Sequence, residues 1–143
     1  MSHVFYNLYL GSLHDAMSMT DADMVVNCTP EMPFFAHNAQ QIRVPIVDLP
    51  SYSDKLYEIA TESDLFQRMA SAMLDNKKIL VHCHMGMSRS ASLLACYIMY
   101  YCKQVNKQEF NLPGVVHFLK TRRPIVFHDG YNFLEAMERY AVF

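Results

Sequence analysis

The stretch from residue 82 to residue 90, HCHMGMSRS, holds the side chains best suited to nucleophilic chemistry on an anion. It follows the apolar tripeptide at residues 79–81 and precedes a helical run, ASLLACYIMYYCK. A loop between a buried strand and a helix brings backbone N–H groups together, and the helix N-terminus favours an anion. A tetrahedral oxyanion is the ligand that this arrangement predicts.

Two side chains in this stretch are suited to act on such an anion. Cys83 lies at the mouth of the loop, where the amides and the helix dipole stabilise a thiolate. We therefore expect its pKa to fall below the free value of about 8.5. The planar guanidinium of Arg89 can bind two oxygens of a phosphoryl group at once. Gly86 permits the sharp turn that points the amides inward, so the spacing predicts a nucleophilic cysteine beside a bound phosphoryl group.

Strand and helix patterns alternate around this loop, which predicts an α/β fold. Short apolar or alternating runs predict strands at residues 4–11, 24–26, 42–47 and 79–81. Apolar residues at helical spacing predict a helix over residues 53–74, possibly in two pieces, and shorter helices at 13–17, 115–120 and 131–140. We expect a twisted, mainly parallel central sheet flanked by helices, in a single domain over residues 1–143.

The composition limits the partners of this domain. The chain has 12 Lys and Arg against 14 Asp and Glu, so its formal charge of -2 supplies no bulk positive field for nucleic acid or an anionic membrane. No apolar run reaches the length of a membrane span, and the start of the chain lacks the pattern of a signal peptide. Four irregularly spaced cysteines predict thiols rather than a disulfide framework. We expect an intracellular protein, in the cytoplasm or the nucleus.

Residues 83–89 resemble the Cys-x5-Arg signature of the protein tyrosine phosphatases. The longer form, His-Cys-x-x-Gly-x-x-Arg-Ser, resembles the dual-specificity branch of that family. The similarity extends over most of the chain, through the segments NLYLGS, VVN, VPIVDLP, RRP and HDGYNF. Loop residue Met85 stands where a small alanine is common, and Pro113-Gly114 interrupts what is normally an unbroken helix.

The resemblance implies a role for each matching residue. Cys83 is the implied nucleophile, Arg89 the clamp on substrate and transition state, and Ser90 the donor that stabilises the departing thiolate. His82 supports the cysteine and its loop from behind. The implied phosphate-binding loop consists of His84, Met85, Gly86, Met87, Ser88 and Arg89. Positioning and charge stabilisation suffice for phosphoryl transfer in such a cradle, so no metal or other cofactor is implied.

A general acid must protonate the leaving oxygen, and the resemblance implies an aspartate upstream of the nucleophile. Two candidates compete. Asp48 follows the VPIV segment, where the family's V-x-D-x-P pattern has its acid, whereas Asp54 starts a predicted helix. We favour Asp48, and we expect an acidic pH optimum because the acid must be protonated.

Several neighbouring residues admit both a structural and a functional interpretation. Asn27 either braces the catalytic loop, as the resemblance implies, or is a buried turn asparagine. Cys28 is either a small buried residue or, since its counterpart region lies beside the catalytic loop, a disulfide partner of Cys83. Arg122-Arg123 more often caps a helix end than binds substrate phosphate. Met85 and Met87 make the entrance apolar, which argues against a phosphoinositide substrate.

These features predict a cysteine-dependent phosphatase acting on phosphotyrosine, and on phosphoserine and phosphothreonine, in protein substrates. Two alternatives belong to other classes. A phosphate-binding pseudoenzyme is disfavoured by the presence of Cys83, Arg89 and Asp48 together. An RNA 5′-phosphatase is disfavoured by the acidic charge balance and by the loop ending at residues 88–91, where the RNA-acting branch tends to have Asn-Arg-Thr-Gly. The sequence predicts no oligomeric state.

Overall fold

A computed structural model describes residues 1–143 and contains one five-stranded sheet, six α-helices and a short 3-10 helix at Pro50–Tyr52. The strands are β1 (Ser2–Phe5), β2 (Leu8–Gly11), β3 (Met24–Asn27), β4 (Gln40–Arg43) and β5 (Ile79–His82). Their order across the sheet is β1-β2-β5-β3-β4. Only β1 and β2 are antiparallel, and every other neighbouring pair is parallel. The mainly parallel sheet flanked by helices confirms the predicted fold class.

The helices cover both faces of the sheet unequally. They are α1 (Leu13–Ser18), α2 (Ser53–Glu62), α3 (Leu65–Leu74), α4 (Arg89–Gln104), α5 (Leu112–Arg122) and α6 (Leu134–Ala141). Side chains alternate along a strand, so in β5 Ile79 and Val81 join the large core beneath α2 to α6 while Leu80 joins the small core beneath α1. None of the helices has the length and apolar character that a membrane span requires.

The first three residues of the central strand β5 are apolar because the strand is buried on both faces. All four of its residues have no solvent exposure, and it is hydrogen-bonded to β2 on one side and β3 on the other. A continuous apolar run is typical of such a parallel strand. The register aligns His82 with Gly11 and with Asn27, so the chain segments that leave these strands begin at one edge of the sheet.

Two strand boundaries differ from the sequence predictions. Residues 4–11 are not one strand, because Tyr6 adopts a left-handed backbone conformation with φ 51° and the chain turns back between β1 and β2. The strand predicted over residues 42–47 ends at Arg43. Pro45 has no N–H for the ladder, and the Ile46 N–H instead bonds back to the Val44 carbonyl at 2.9 Å. That turn directs the chain into Asp48.

The long predicted helix over residues 53–74 is two helices, as the sequence allowed, with a break after Glu62. The interruption predicted at Pro113-Gly114 does not occur, because both residues lie in the first turn of α5, where the missing proline N–H would be unpaired in any case. Asn111 caps this helix by accepting a hydrogen bond from the Gly114 N–H at 2.9 Å. The last helix begins at Leu134, three residues later than the predicted Tyr131.

Candidate active site

The loop over residues 83–88 connects the end of β5 to the start of α4. It lies at the carboxyl end of parallel strands, where α/β folds commonly bind ligands, and at the N-terminus of a sixteen-residue helix. The loop borders a cavity of about 150 Å³. The cavity is lined by Asp48, Cys83, His84, Met85, Met87, Ser88, Arg89, Phe127, Asp129, Gly130 and Asn132. We call this cavity the catalytic cleft.

The thiol of Cys83 is almost completely buried and is surrounded by hydrogen-bond donors. Its Sγ lies 3.1 Å from Ser90 Oγ and accepts a hydrogen bond from the Gly86 N–H at 3.3 Å. Burial acts to raise the pKa of Cys83, but hydrogen bonds from Ser90 and Gly86 and the positive charge of Arg89 outweigh it and lower the pKa. The environment therefore favours the thiolate, the nucleophilic form.

The backbone turn at Gly86 brings its N–H to Cys83. Gly86 has φ 70°, in the left-handed region that favours glycine. A Cβ at this position would lie 2.6 Å from the Gly11 carbonyl oxygen. Both the conformation and the close approach of the β2 end therefore require glycine here.

Arg89 borders the cleft and has unused hydrogen-bonding capacity. Its Nη1 donates to the Ile46 carbonyl at 3.3 Å, while its buried Nε has no partner. A buried charged donor without an acceptor is costly. An oxyanion bound in the cleft would supply that acceptor, in the planar geometry to which a guanidinium is suited.

Of the two aspartate candidates for the general acid, only Asp48 borders the cleft. Its Oδ1 accepts hydrogen bonds from Ser88 Oγ at 2.8 Å and from Asn132 Nδ2 at 2.9 Å. Asp54 lies instead on the exposed side of α2, where it pairs with Arg139 at 3.3 Å. The contacts with Ser88 and Asn132 hold the Asp48 carboxylate between the phosphate-binding loop and the segment before α6.

His82 lies behind the loop, at the end of β5. Its Nδ1 lies 3.2 Å from the Cys83 carbonyl oxygen, to which it donates as Nδ1–H, and its buried Nε2 has no partner. Burial lowers the pKa of His82, which favours the neutral ring. The residue supports the loop through the backbone of Cys83 and does not border the cleft.

Asn27 does not brace the catalytic loop, which corrects the role that the resemblance implied. Its side-chain oxygen accepts hydrogen bonds from the N–H and hydroxyl of Thr29, and its Nδ2 donates to the Met32 carbonyl at 2.8 Å. These partners follow β3 in sequence. Asn27 is therefore the buried turn asparagine that the sequence left as the alternative.

Arg123 braces the loop in place of Asn27. Its Nε donates to the Gly86 carbonyl at 3.0 Å and its Nη2 to the Met85 carbonyl at 2.9 Å, while Nη1 donates to Ser2 Oγ at 3.1 Å. Asp15 lies 3.9 Å from the same guanidinium. Arg123 does end α5, where its backbone N–H donates to the Leu119 carbonyl at 2.8 Å, but its side chain contacts the loop and not the last carbonyls of the helix. The only signal for this contact was the RRP segment of the resemblance.

The segment at residues 127–132 forms a second wall of the cleft, and it was not identified as part of the site from the sequence. The Phe127 N–H donates to the Met87 carbonyl at 2.8 Å, with Phe127 in a left-handed conformation. Asp129 and Asn132 border the cleft from this segment. The HDGYNF segment of the resemblance covers these residues and was their only signal.

Cys28 is a free, fully buried thiol at the end of β3. Its backbone N–H donates to the His82 carbonyl at 2.8 Å, so it lies beside the strand that carries the nucleophile. Burial raises the pKa of Cys28 well above its ordinary value, and the neighbouring Cys83 adds to that shift. The environment of Cys28 therefore favours the protonated thiol, whereas the environment of Cys83 favours the thiolate.

Comparisons with known proteins agree on one family. The model of the dual specificity phosphatase catalytic domain matches residues 8–141. Dual specificity protein phosphatase 16 of Homo sapiens is 30% identical over 146 residues, covering 97% of this chain and 20% of the relative. Dual specificity protein phosphatase 18 of Rattus norvegicus is 31% identical over 129 residues, covering 87% of this chain and 56% of the relative. This chain thus spans less than two thirds of these relatives.

Solved structures show the same fold. The crystal structure of human DUSP28 superimposes with a TM-score of 0.79 at 22% identity, covering 99% of this chain and 96% of that one. A tyrosine phosphatase from the Orf virus, OH1, has a TM-score of 0.71 at 25% identity and covers 99% of this chain and 83% of its own. The match of the family model over nearly the whole chain shows that this protein belongs to the dual specificity phosphatase family, which confirms the family predicted from its sequence.

Proposed function

We propose that the chain is a protein phosphatase that hydrolyses phosphotyrosine, and also phosphoserine and phosphothreonine, through a cysteinyl-phosphate at Cys83. The observation that carries the proposal is the Cys83 thiol, held by two donors in a cleft that also presents the unpartnered Nε of Arg89. The relatives are named as protein phosphatases, which supports proteins as the substrate class.

In the first step, the Cys83 thiolate attacks phosphorus and an S–P bond forms as the P–O bond to the substrate side chain breaks. The electron pair of that bond goes to the leaving oxygen, which takes a proton from Asp48. Arg89 and the loop N–H groups bind the other phosphoryl oxygens. Their contribution is electrostatic, because charge is spread over those oxygens in the transition state.

In the second step, a water molecule attacks phosphorus and gives its proton to the Asp48 carboxylate. The S–P bond breaks and its electron pair returns to sulfur, which releases inorganic phosphate. Ser90 Oγ, 3.1 Å from Cys83 Sγ, donates a hydrogen bond to the departing thiolate. We place this chemistry in a reducing compartment, the cytoplasm or the nucleus, because an activated thiolate is readily oxidised elsewhere.

The test is steady-state hydrolysis of an aryl phosphate by the wild type, Cys83→Ser and Asp48→Asn, in EDTA, from about pH 5 to about pH 8. We expect Cys83→Ser to lose activity on the order of 10⁴-fold or more and Asp48→Asn to lose about 10²-fold or more. The matched control is Asp54→Asn, which removes a carboxylate outside the cleft and should retain wild-type activity.

The substrates that the enzyme hydrolyses distinguish a protein phosphatase from an RNA 5′-phosphatase. Hydrolysis of phosphotyrosine and phosphothreonine peptides, with none of a 5′-triphosphorylated RNA, supports the protein phosphatase. Preferential hydrolysis of the RNA supports the alternative branch. Phosphate binding without turnover of any substrate by the wild type would make the chain a pseudoenzyme and overturn the proposal, as would full activity of Cys83→Ser.

A further inference from the structure

The catalytic cleft has an uneven distribution of charge. Among its lining residues Arg89 is the only lysine or arginine, and Asp48 and Asp129 are the carboxylates. Ser88 and Asn132 hold Asp48 by hydrogen bonds. Asp129 is exposed and takes part in none of the ion pairs of the chain. One uncompensated carboxylate therefore stands at the cleft, beside the position where we expect a phosphoryl group.

Three basic side chains lie near this cleft without lining it. Arg123 donates its hydrogen bonds to loop carbonyls and to Ser2. Arg122 lies over the Phe118 ring, 5.0 Å from its centroid, and Lys120 lies over the Tyr131 ring at 5.9 Å. None of these three residues lines the cleft. Within the cleft itself, a second anionic group on a substrate would meet the Asp129 carboxylate, and Arg89, which we expect to bind the phosphoryl group, is the only lysine or arginine that lines it.

Exposed apolar side chains occur in the cleft and at positions close in sequence to the residues that line it. Met85 of the loop is 52% exposed, and Leu49, directly after Asp48, is 50% exposed. Ile125, two residues before the wall segment, is 42% exposed, and Tyr131, within that segment, is 41% exposed. The Tyr131 ring stacks on Phe127, with centroids 4.9 Å apart, so part of this surface is held rigidly. Exposed apolar surface gathered in this way is typical of a site that contacts another protein.

We propose that the cleft selects singly phosphorylated protein segments whose phosphorylated residue has apolar neighbours, and that Asp129 rejects acidic neighbours and a second phosphate. The inference rests on the proposed function and names its substrate class. Apolar neighbours cover Met85, Leu49 and Tyr131, while an acidic neighbour places like charges side by side. Specificity of this kind comes from a repulsive element as much as from an attractive one.

The experiment compares four phosphotyrosine peptides that differ only at the residues flanking the phosphotyrosine: leucine, alanine, glutamate, or alanine with a phosphothreonine two positions away. The readout is the ratio of kcat/KM values between peptides within one enzyme, because a ratio cancels any change in basal activity. We expect the leucine peptide to exceed the glutamate peptide by about ten-fold in wild type, and the doubly phosphorylated peptide to be poorer still.

Two substitutions test the two parts of the proposal. Asp129→Asn should reduce the leucine-to-glutamate ratio to about two-fold, and Asp129→Lys should invert it. Met85→Ser should reduce the leucine-to-alanine ratio without changing the alanine-to-glutamate ratio. The control is Glu58→Gln, an exposed carboxylate on α2 outside the cleft, which should leave every ratio at its wild-type value. High salt should weaken the discrimination against glutamate, since it screens exposed charges.

The outcomes separate this inference from the proposed function. An unchanged leucine-to-glutamate ratio in Asp129→Asn, or a wild-type preference for the acidic or doubly phosphorylated peptide, would overturn the inference while leaving the phosphatase intact. If the wild type hydrolyses the aryl phosphate and none of the four peptides, the protein-substrate assignment fails and the inference fails with it. Thermal unfolding of each variant establishes that the ratios come from folded enzyme.

Discussion

The Arg123 Nε donates a hydrogen bond to the Gly86 carbonyl at 3.0 Å, across 37 positions of the chain. The same guanidinium donates a second hydrogen bond, to the Met85 carbonyl. Together the two bonds hold two successive loop carbonyls on the side of Arg123. Because the carbonyls have partners there, the adjoining N–H groups are free to converge on an anion, as in other anion-binding turns. Arg123 is thus a positioning residue for the phosphate-binding loop.

We expect Arg123→Ala to weaken inhibition by inorganic phosphate and to lower kcat/KM for an aryl phosphate by about ten-fold. The free energy of unfolding should fall by about 2 kcal/mol, because charge-assisted hydrogen bonds are lost. Arg123→Lys keeps the positive charge but lacks the planar guanidinium that donates to two carbonyls at once. Its phosphate affinity should therefore lie between those of Arg123→Ala and the wild type. The matched control is Arg122→Ala, because Arg122 does not contact the loop. Equal phosphate affinity in wild type and Arg123→Ala would contradict the role.

The hydrogen bond between Ser90 and Cys83 predicts how the thiol titrates. Ser90→Ala removes a donor that lowers the pKa of Cys83, so the pKa of the variant should lie above the wild-type pKa. The rising limb of the iodoacetamide alkylation rate against pH should move to higher pH, because only the thiolate reacts. Ser92→Ala is the control, since Ser92 lies buried on the same helix with no hydrogen-bond partner. A superimposable alkylation profile for Ser90→Ala would argue against this hydrogen bond.

Asn132 holds Asp48, and we expect the effect of its removal to depend on the leaving group. Asn132→Ala should lower kcat by about ten-fold for an alkyl phosphate, whose leaving oxygen requires a proton in the transition state. For a nitrophenyl phosphate, whose leaving group is weakly basic, the loss should be smaller. Steady-state kinetics on both substrates checks this, with the exposed Asn38→Ala as the control. Equal losses on both substrates would contradict a role for Asn132 in positioning the acid Asp48.

Gly86 and Gly130 both have a positive φ, but only Gly86 is crowded. A Cβ at Gly130 meets nothing within 4 Å, whereas at Gly86 it lies 2.6 Å from the Gly11 carbonyl oxygen. Gly130→Ala should therefore cost only the backbone strain, about 1 kcal/mol. Gly86→Ala should cost about 3 kcal/mol or more, because steric overlap adds to strain. Urea unfolding of the two variants measures the difference, and equal losses would exclude a role for the Gly11 contact.

The sequence by itself determined the chemistry of the loop. Cys83, Gly86 and Arg89 lie within seven residues, between an apolar strand and an apolar helix. Their relative placement is therefore set by local backbone geometry, which short-range patterns specify. Short-range patterns also indicated the buried strand before the loop and allowed a break in the helix over residues 53–74. Asp48, which the match to the family's segment after a strand favoured as the general acid, is the candidate that borders the cleft.

Only the tertiary structure decided what surrounds that loop. Arg123, Asp129 and Asn132 lie 34 or more positions from Arg89 in the sequence, and no local pattern specifies which carbonyl or carboxylate each one meets. Asn27 shows the converse: it ends the strand next to β5, yet its side chain forms its hydrogen bonds with Thr29 and Met32 in the loop that follows β3. Such choices depend on which polar groups folding leaves without partners, and that is known only once the whole chain is packed.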